Sequence, residues 1–189
     1  MMQHFKAMTQ EEYSDLKQNY IDFIKEMMVE IGGLNPGITI MGTRKEDNIN
    51  AVVHIPIPPV FMDSDQAKDK FFEEVIPELA PKINDKFNIE AVAWSSEAWV
   101  RKVAKGQEIP DNWKDLPKEK EVIIISIERQ SDMETMVLEI IRNGVSVNEQ
   151  GDLIDTIDLV EIEDMKNPEK AEGRFTGLYK RFTEFSAGL

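Results

Sequence analysis

The chain has no cysteine, so disulfide staples, thiolate nucleophiles and cysteine-based zinc sites are excluded. Its only histidines, His4 and His54, form no His-x-x-His or His-Glu-x-x-His pair, and no EF-hand loop is present. No Gly-x-Ser-x-Gly turn holds a serine exposed, and Gly32, Gly33, Gly37 and Gly42 match neither a P-loop nor a dinucleotide-binding turn. No stretch approaches the ~18–20 apolar residues of a membrane-spanning helix. Residues Met1 to Met8 lack the apolar core of a secretory signal. Bases are scarce too: 22 Lys and Arg against 36 Asp and Glu leave a formal charge of -14. That balance argues against direct nucleic-acid binding, whose affinity comes from neutralising phosphates. No cofactor, metal site or membrane association is expected.

What remains describes an ordinary folded domain. At 189 residues, with 41% hydrophobic and 31% charged residues, the chain fits one soluble domain that buries a sizeable core without staples. A loose N-terminus is expected over residues 1–8 and a single domain over 9–189. Thr9 to Glu12 reads as a capping box, and Tyr13, Leu16, Tyr20, Phe23, Met27 and Ile31 recur at helical spacing up to Gly32-Gly33. Two strands follow, from Gly37 to Gly42 and from Ile49 to Ile57, joined by a polar link. A second helical stripe runs from Ala67 to Phe87 and is interrupted by Pro77 and Pro81, which predicts a kink or a break. Strands are expected at 89–103, 121–129 and 133–142, with turns near Asn143-Gly144 and Gln150-Gly151. Leu153 to Ile162 reads as a further strand, with a short helix as the alternative. Asn167-Pro168 reads as the start of a last helix, with a stripe of Ala171, Phe175, Leu178, Phe182 and Phe185. The order α-β-β-α-β-β-β-(β)-α predicts an α+β fold: a mainly antiparallel sheet of five to six strands with helices on one face.

Charge is uneven along the chain. Residues 144–165 hold seven acids and no base, including an acidic patch of Glu149, Asp152, Asp155, Asp158 and Glu161. One reading is a solvated strand edge that discourages edge-to-edge pairing. The other is a surface presented to a basic partner, or a cation site.

The segment from Ile89 to Val103 is the most distinctive. With a strand's period of two, Val92, Trp94, Ser96, Ala98 and Val100 share one face and Ala91, Ala93, Ser95, Glu97, Trp99 and Arg101 the other. Trp94 is expected in the core. Glu97 and Arg101 flank Trp99, either as a shielded tryptophan with a surface ion pair or as a contact platform, since Trp and Arg are enriched at interface hot spots. The following loop, 104–120, is long for a plain connection and carries Trp113 between Pro110 and Pro117. Ser95 and Ser96 adjoin Glu97, but neighbouring strand residues point to opposite faces, which leaves no nucleophile–base pair.

The string Ser96-Glu97-Ala98-Trp99-Val100-Arg101, a polar proline-containing loop and the run Lys120 to Ser126 together resemble a pattern in small uncharacterised proteins encoded by phages and environmental prokaryotes. The likeness covers about residues 89–142, with Asp115-Leu116-Pro117 where those sequences carry a Pro-Ser turn. It implies a phage-like origin and no particular catalysis. Three functions are therefore set against one another. The first is a non-enzymatic interaction or accessory protein, cytoplasmic or in a virion, that binds a protein partner or its own copies through Glu97, Trp99, Arg101 and Trp113. The second is an acidic inhibitor that mimics nucleic acid with its 149–164 carboxylates. The third is a small enzyme or ligand-binding domain with a cleft near Glu97 and Arg101, joined by His54, under the 104–120 loop.

Overall fold

The computed structural model describes residues 8–101, 110, 112, 115–147, 151, 153–166 and 177–184. Helix α1 (Gln10–Ile31) starts where the Thr9 hydroxyl accepts the Glu12 amide at 3.2 Å and the Glu12 carboxylate accepts the Thr9 amide at 2.7 Å. It stops at Gly32, whose φ of 75° is the left-handed conformation that a side chain would disfavour. The buried line along α1 is Tyr13, Leu16, Tyr20, Ile24 and Met28. Those positions advance slightly more per turn than the ~3.6 residues of a straight helix, because the contact follows a twisted sheet. The drift leaves Phe23 and Met27 half-buried and Ile31, expected on the core stripe, 58% exposed.

Strands β1 (Gly37–Arg44) and β2 (Asn50–Pro56) form a hairpin paired from Gly37↔Pro56 to Thr43↔Asn50. Helix α2 (Asp65–Lys70) is capped by Ser64, a π-helical turn covers Phe71–Val75, and α3 (Ile76–Lys86) follows without a loop. The expected break is taken up at Pro77 by widening one turn just before it, where a regular turn would drive the proline ring into the carbonyl four residues back, while at Pro81, inside α3, the helix continues without a break to Lys86. Strands β3 (Phe87–Val100), β4 (Lys120–Glu128), β5 (Met133–Val147) and β6 (Leu153–Lys166) complete a six-stranded sheet in the order β2-β1-β3-β4-β5-β6, antiparallel throughout.

The fold is α+β, as expected, and Leu153 onward is a strand rather than a helix. Three local expectations are corrected. Asn143-Gly144 is not a turn: β5 runs through it as a bulge between Arg142 and Val145, with Gly144 at φ 100° supplying the backbone conformation. Among the described residues the last helix is α4 (Leu178–Thr183), which begins after Gly177 in the left-handed conformation at φ 75°. The start expected at Asn167 lies outside the described residues.

The third correction concerns layering. One core cluster packs α1 against Ala91, Ala93, Ile123, Ile125, Ile127, Met136, Leu138, Ile140 and Ile157. The other packs Phe71, Phe72, Ile76, Ala80, Leu178 and Phe182 against Ile38, Ile40, Val92 and Trp94. Alternate residues of β3 belong to different clusters, so helices cover both faces of the sheet rather than one. The residues on the α1 side of β3, on the face opposite Trp94, are small so that the helix can approach.

A buried carboxylate joins the second layer to the sheet. Glu128, at the end of β4 and only 7% exposed, accepts the amides of Gly177 at 2.7 Å and Tyr179 at 3.0 Å. It caps the N-terminus of α4, whose own N-cap residue has no side chain to do so. Replacing Glu128 by alanine is expected to lower the free energy of unfolding by about 1–2 kcal/mol, because two helix-end amides, both only partly buried, lose their charged acceptor. Glu161→Ala, on an exposed site, should stay within about 0.5 kcal/mol. Urea titration of the two variants checks the contrast.

Candidate interaction surface

Trp94 lies in the second core at 6% exposure, as its alternation in β3 predicts. Beyond Ser95 the strand leaves the helix-covered zone, and its side chains meet the turn after α1. The Glu97 carboxylate accepts a short hydrogen bond from the Leu34 amide. A Cβ at Gly33 would stand 3.1 Å from the same carboxylate oxygen, so glycine there admits the close approach. Arg101 donates to the Leu116 carbonyl and ties the end of β3 to the chain entering β4. Glu97 and Arg101 therefore do not pair with each other across Trp99; each is spent on a backbone group. Trp99 itself is 46% exposed, with the Lys118 ammonium 4.5 Å from its ring centroid.

A second constellation flanks this one. Arg142 on β5 donates to both oxygens of Glu121 at 3.0 and 3.1 Å and to the Gly32 carbonyl at 3.2 Å. It thereby fixes the far part of β5 to the end of α1. The pairing of β4 with β5 ends at Val122↔Glu139, whereas β5 continues to pair with β6 as far as Val147↔Leu153. The result is a two-stranded ribbon that projects past α1. The bulge at Arg142/Val145 keeps Val145 opposite Asp155, two residues from Ile157 in the α1 core. Val145, Val147 and Leu153 thus share the α1 side of the ribbon, and they are 61%, 63% and 76% exposed. With Ile31 beside Gly32, they make an apolar apron at the end of the sheet that also carries Trp99. In the sequence, the seven acids of residues 144–165 mask this apron. The alternation Val145-Ser146-Val147 was the available signal.

The predicted acidic patch is only partly in view. Glu149 and Asp152, like Trp113, lie outside the described residues, and for Asp155 only the backbone in β6 is described. Asp158 is exposed, accepts from Asn143 at 2.6 Å and faces the Lys25 ammonium at 3.7 Å. Glu161 is exposed opposite Leu138. No three carboxylates or histidines converge as metal ligands among the described residues. Next to Asp158, an open groove of about 500 Å³ runs along α1, lined by Asp22, Lys25, Glu26, Val29 and Glu30. No helix of the described residues is long and apolar enough to cross a membrane.

His54 sits apart from Glu97 and Arg101. Its Nδ1 shares a hydrogen bond of 2.9 Å with the Thr39 hydroxyl, its ring lies 5.2 Å from that of Phe23, and it occupies the space a Cβ on Gly37 would need. The hydroxyls of Tyr20, Thr39 and Ser95 gather next to it, all on residues with 0% exposure. Neither the Tyr20 nor the Ser95 hydroxyl completes a hydrogen bond of ordinary geometry. Burial raises the pKa of Tyr20, with the Ser95 and Thr39 hydroxyls opposing. The cluster is a polar inclusion beneath α1. The sequence carried no sign of it, since its members come from four separate elements.

Comparison with protein-family models, with curated proteins and with solved structures returned no match to this chain.

Burial lowers the pKa of His54 below its ordinary value of 6.5. The unfolded chain therefore binds a proton at a pH where the folded chain still excludes it, and stability falls as pH drops through 6.5 toward the folded value. His54→Gln keeps an uncharged partner for Thr39 and should remove that component. Subtracting the urea stabilities of wild type and variant across mildly acidic pH measures it, and a flat difference would show that His54 is not protected.

Proposed function

We propose that this chain is a non-enzymatic interaction protein that binds a protein partner through the end of the sheet bearing Trp99. The observation that carries the reading is the contrast within one strand end. Glu97 and Arg101, the groups that could have served chemistry, hold backbone atoms, while Trp99 stays half exposed at the end of the sheet from which the β5–β6 ribbon projects. Large exposed apolar side chains grouped at one end of a domain are a mark of a contact surface, and tryptophan is the residue most enriched where such contacts carry energy. The formal charge of -14 turns the reading away from direct contact with nucleic acid. A phage-encoded protein acting in the cytoplasm of a bacterial cell, or carried in a virion, is the setting we propose with it, on the resemblance over residues 89–142.

The test compares immobilised wild type with Trp99→Ala and Leu153→Asn, each first shown by melting to keep the wild-type fold. Proteins captured from bacterial lysate are quantified for the three baits side by side, and self-association of each free chain is followed by sedimentation velocity. Truncating a hot-spot residue weakens a contact by roughly tenfold or more, so at least one association of the wild type should drop by that factor in both variants. Indistinguishable capture and sedimentation for all three chains would overturn the proposal.

A further inference from the structure

We propose that Asn143 is a site of spontaneous covalent modification: it closes on its own backbone to a succinimide and opens to aspartate and isoaspartate, and the products loosen the β5–β6 ribbon. The reaction needs only water and the chain itself, and it proceeds whether or not the sheet end meets a partner.

The chemistry starts in the sequence. Asn143-Gly144 is the only Asn-Gly pair in the chain. Solvent base takes the proton of the Gly144 amide, and the nitrogen attacks Asn143 Cγ. A C–N bond forms there, and the side-chain nitrogen leaves as ammonia with a proton from water. Water then adds to one of the two ring carbonyls. Cleavage of the new C–N bond gives aspartate. Cleavage of the original peptide bond gives isoaspartate, whose main chain runs through Cβ and Cγ. Ring closure requires the peptide between the two residues to swing toward the side chain, a movement that a Cβ on the second residue hinders and glycine permits.

The fold allows that swing. In a regular antiparallel ladder, hydrogen bonds to the neighbouring strands hold each peptide in place. Here the ladder is broken at the reacting pair. Asn143 and Gly144 together stand opposite Thr156, and Gly144 at φ 100° has left the strand conformation. On the other side of β5, the pairing with β4 has already ended at Val122↔Glu139. Residues 141–147 are all exposed, and nothing lies within 4 Å of where a Gly144 Cβ would stand. A two-stranded ribbon is also marginal on its own and opens readily. The hydrogen bond of 2.6 Å from the Asn143 amide to the Asp158 carboxylate, between exposed groups, is the contact that has to break first.

That contact gives the modification its consequence. In the product a carboxylate replaces the donor and faces the Asp158 carboxylate. The two repel, and the Lys25 ammonium, 3.7 Å from Asp158, offsets one charge and not both. Isoaspartate also adds a main-chain carbon at the place where the residue count sets the register of the ribbon. Both products therefore weaken the hold of β5 on β6 beyond Arg142.

The full chain is aged at mildly alkaline pH, folded and unfolded in urea side by side. Peptides containing residue 143 are then separated and identified by mass as asparagine, aspartate and isoaspartate forms. In the folded chain Asn143 should convert within roughly tenfold of its rate in the unfolded chain, since opening the ribbon costs little. It should outpace Asn84 and Asn88, which stand in α3 and β3. Gly144→Ala should slow the conversion roughly tenfold or more. If that variant melts differently because alanine is strained at this φ, the folded-to-unfolded ratio of the wild type decides alone. In Asn143→Asp, hydrogen exchange across residues 145–147 and 153–157 should be severalfold faster than in the wild type, and Asp158→Asn added to it should bring the rate back. Retention of Asn143 in the folded chain while the unfolded chain converts would sink the site, as would conversion no faster than at Asn84 and Asn88. Unchanged exchange in both Asn143→Asp and the purified isoaspartate form would sink the loosening.

Discussion

From Ala91 to Trp94 every side chain of β3 is shut away from water, the alanines beneath α1 and Val92 and Trp94 beneath the α2–α4 layer. The rest of the molecule arranges itself around that two-sided burial. Each fully buried Ile, Val, Leu or Phe contributes about 1.5–3 kcal/mol, so the helices gather where both faces of the sheet offer such contacts. They do so with an offset: α1 spreads toward β6, while the second layer lies over β1 and β3. The sheet's far end, beyond the reach of α1, is left with exposed apolar side chains and no helix of the described residues over them. The exposed apolar end of the sheet is thus a by-product of where the core had to be.

Charge in this protein serves position more than chemistry. Glu128 holds a helix start, Glu97 a turn, Arg101 a loop carbonyl and Arg142 a helix end. Each replaces a hydrogen bond that the backbone could not make for itself where an element ends.

Features written in local chemistry were legible in the sequence. The Thr9–Glu12 capping box, the Gly32 stop and the burial of Trp94 each follow from a few adjacent residues, and each is found. Features that depend on what crosses over a strand were not. Ala91, Ala93 and Ser95 share the face opposite Trp94, and smallness alone does not say whether water or a helix lies above. Ile31 looked like core because an ideal helical period ignores the twist of the sheet beneath. Trp99 was placed on a surface correctly, but its expected partners Glu97 and Arg101 proved to be engaged elsewhere, through contacts between residues 63 and 15 positions apart. The apolar apron escaped notice because a run of acids dominated its stretch of sequence.

The bulge in β5 has a geometric consequence. Arg142 and Val145 are three residues apart, an odd step, and in a regular strand they would point to opposite sides. The extra residue opposite Thr156 cancels that odd step, so the arginine that anchors the ribbon and the valines at its tip look the same way. The bulge therefore acts as a phase shifter. With a regular backbone between Arg142 and Val145, the same amino acids would still pair into a ribbon, but Val145 and Val147 would turn to the far side of the sheet, while Leu153 on β6 would keep its place on the α1 side. Whether the two strands of the ribbon show their apolar residues on one side is decided by the counting of residues at Asn143 and Gly144.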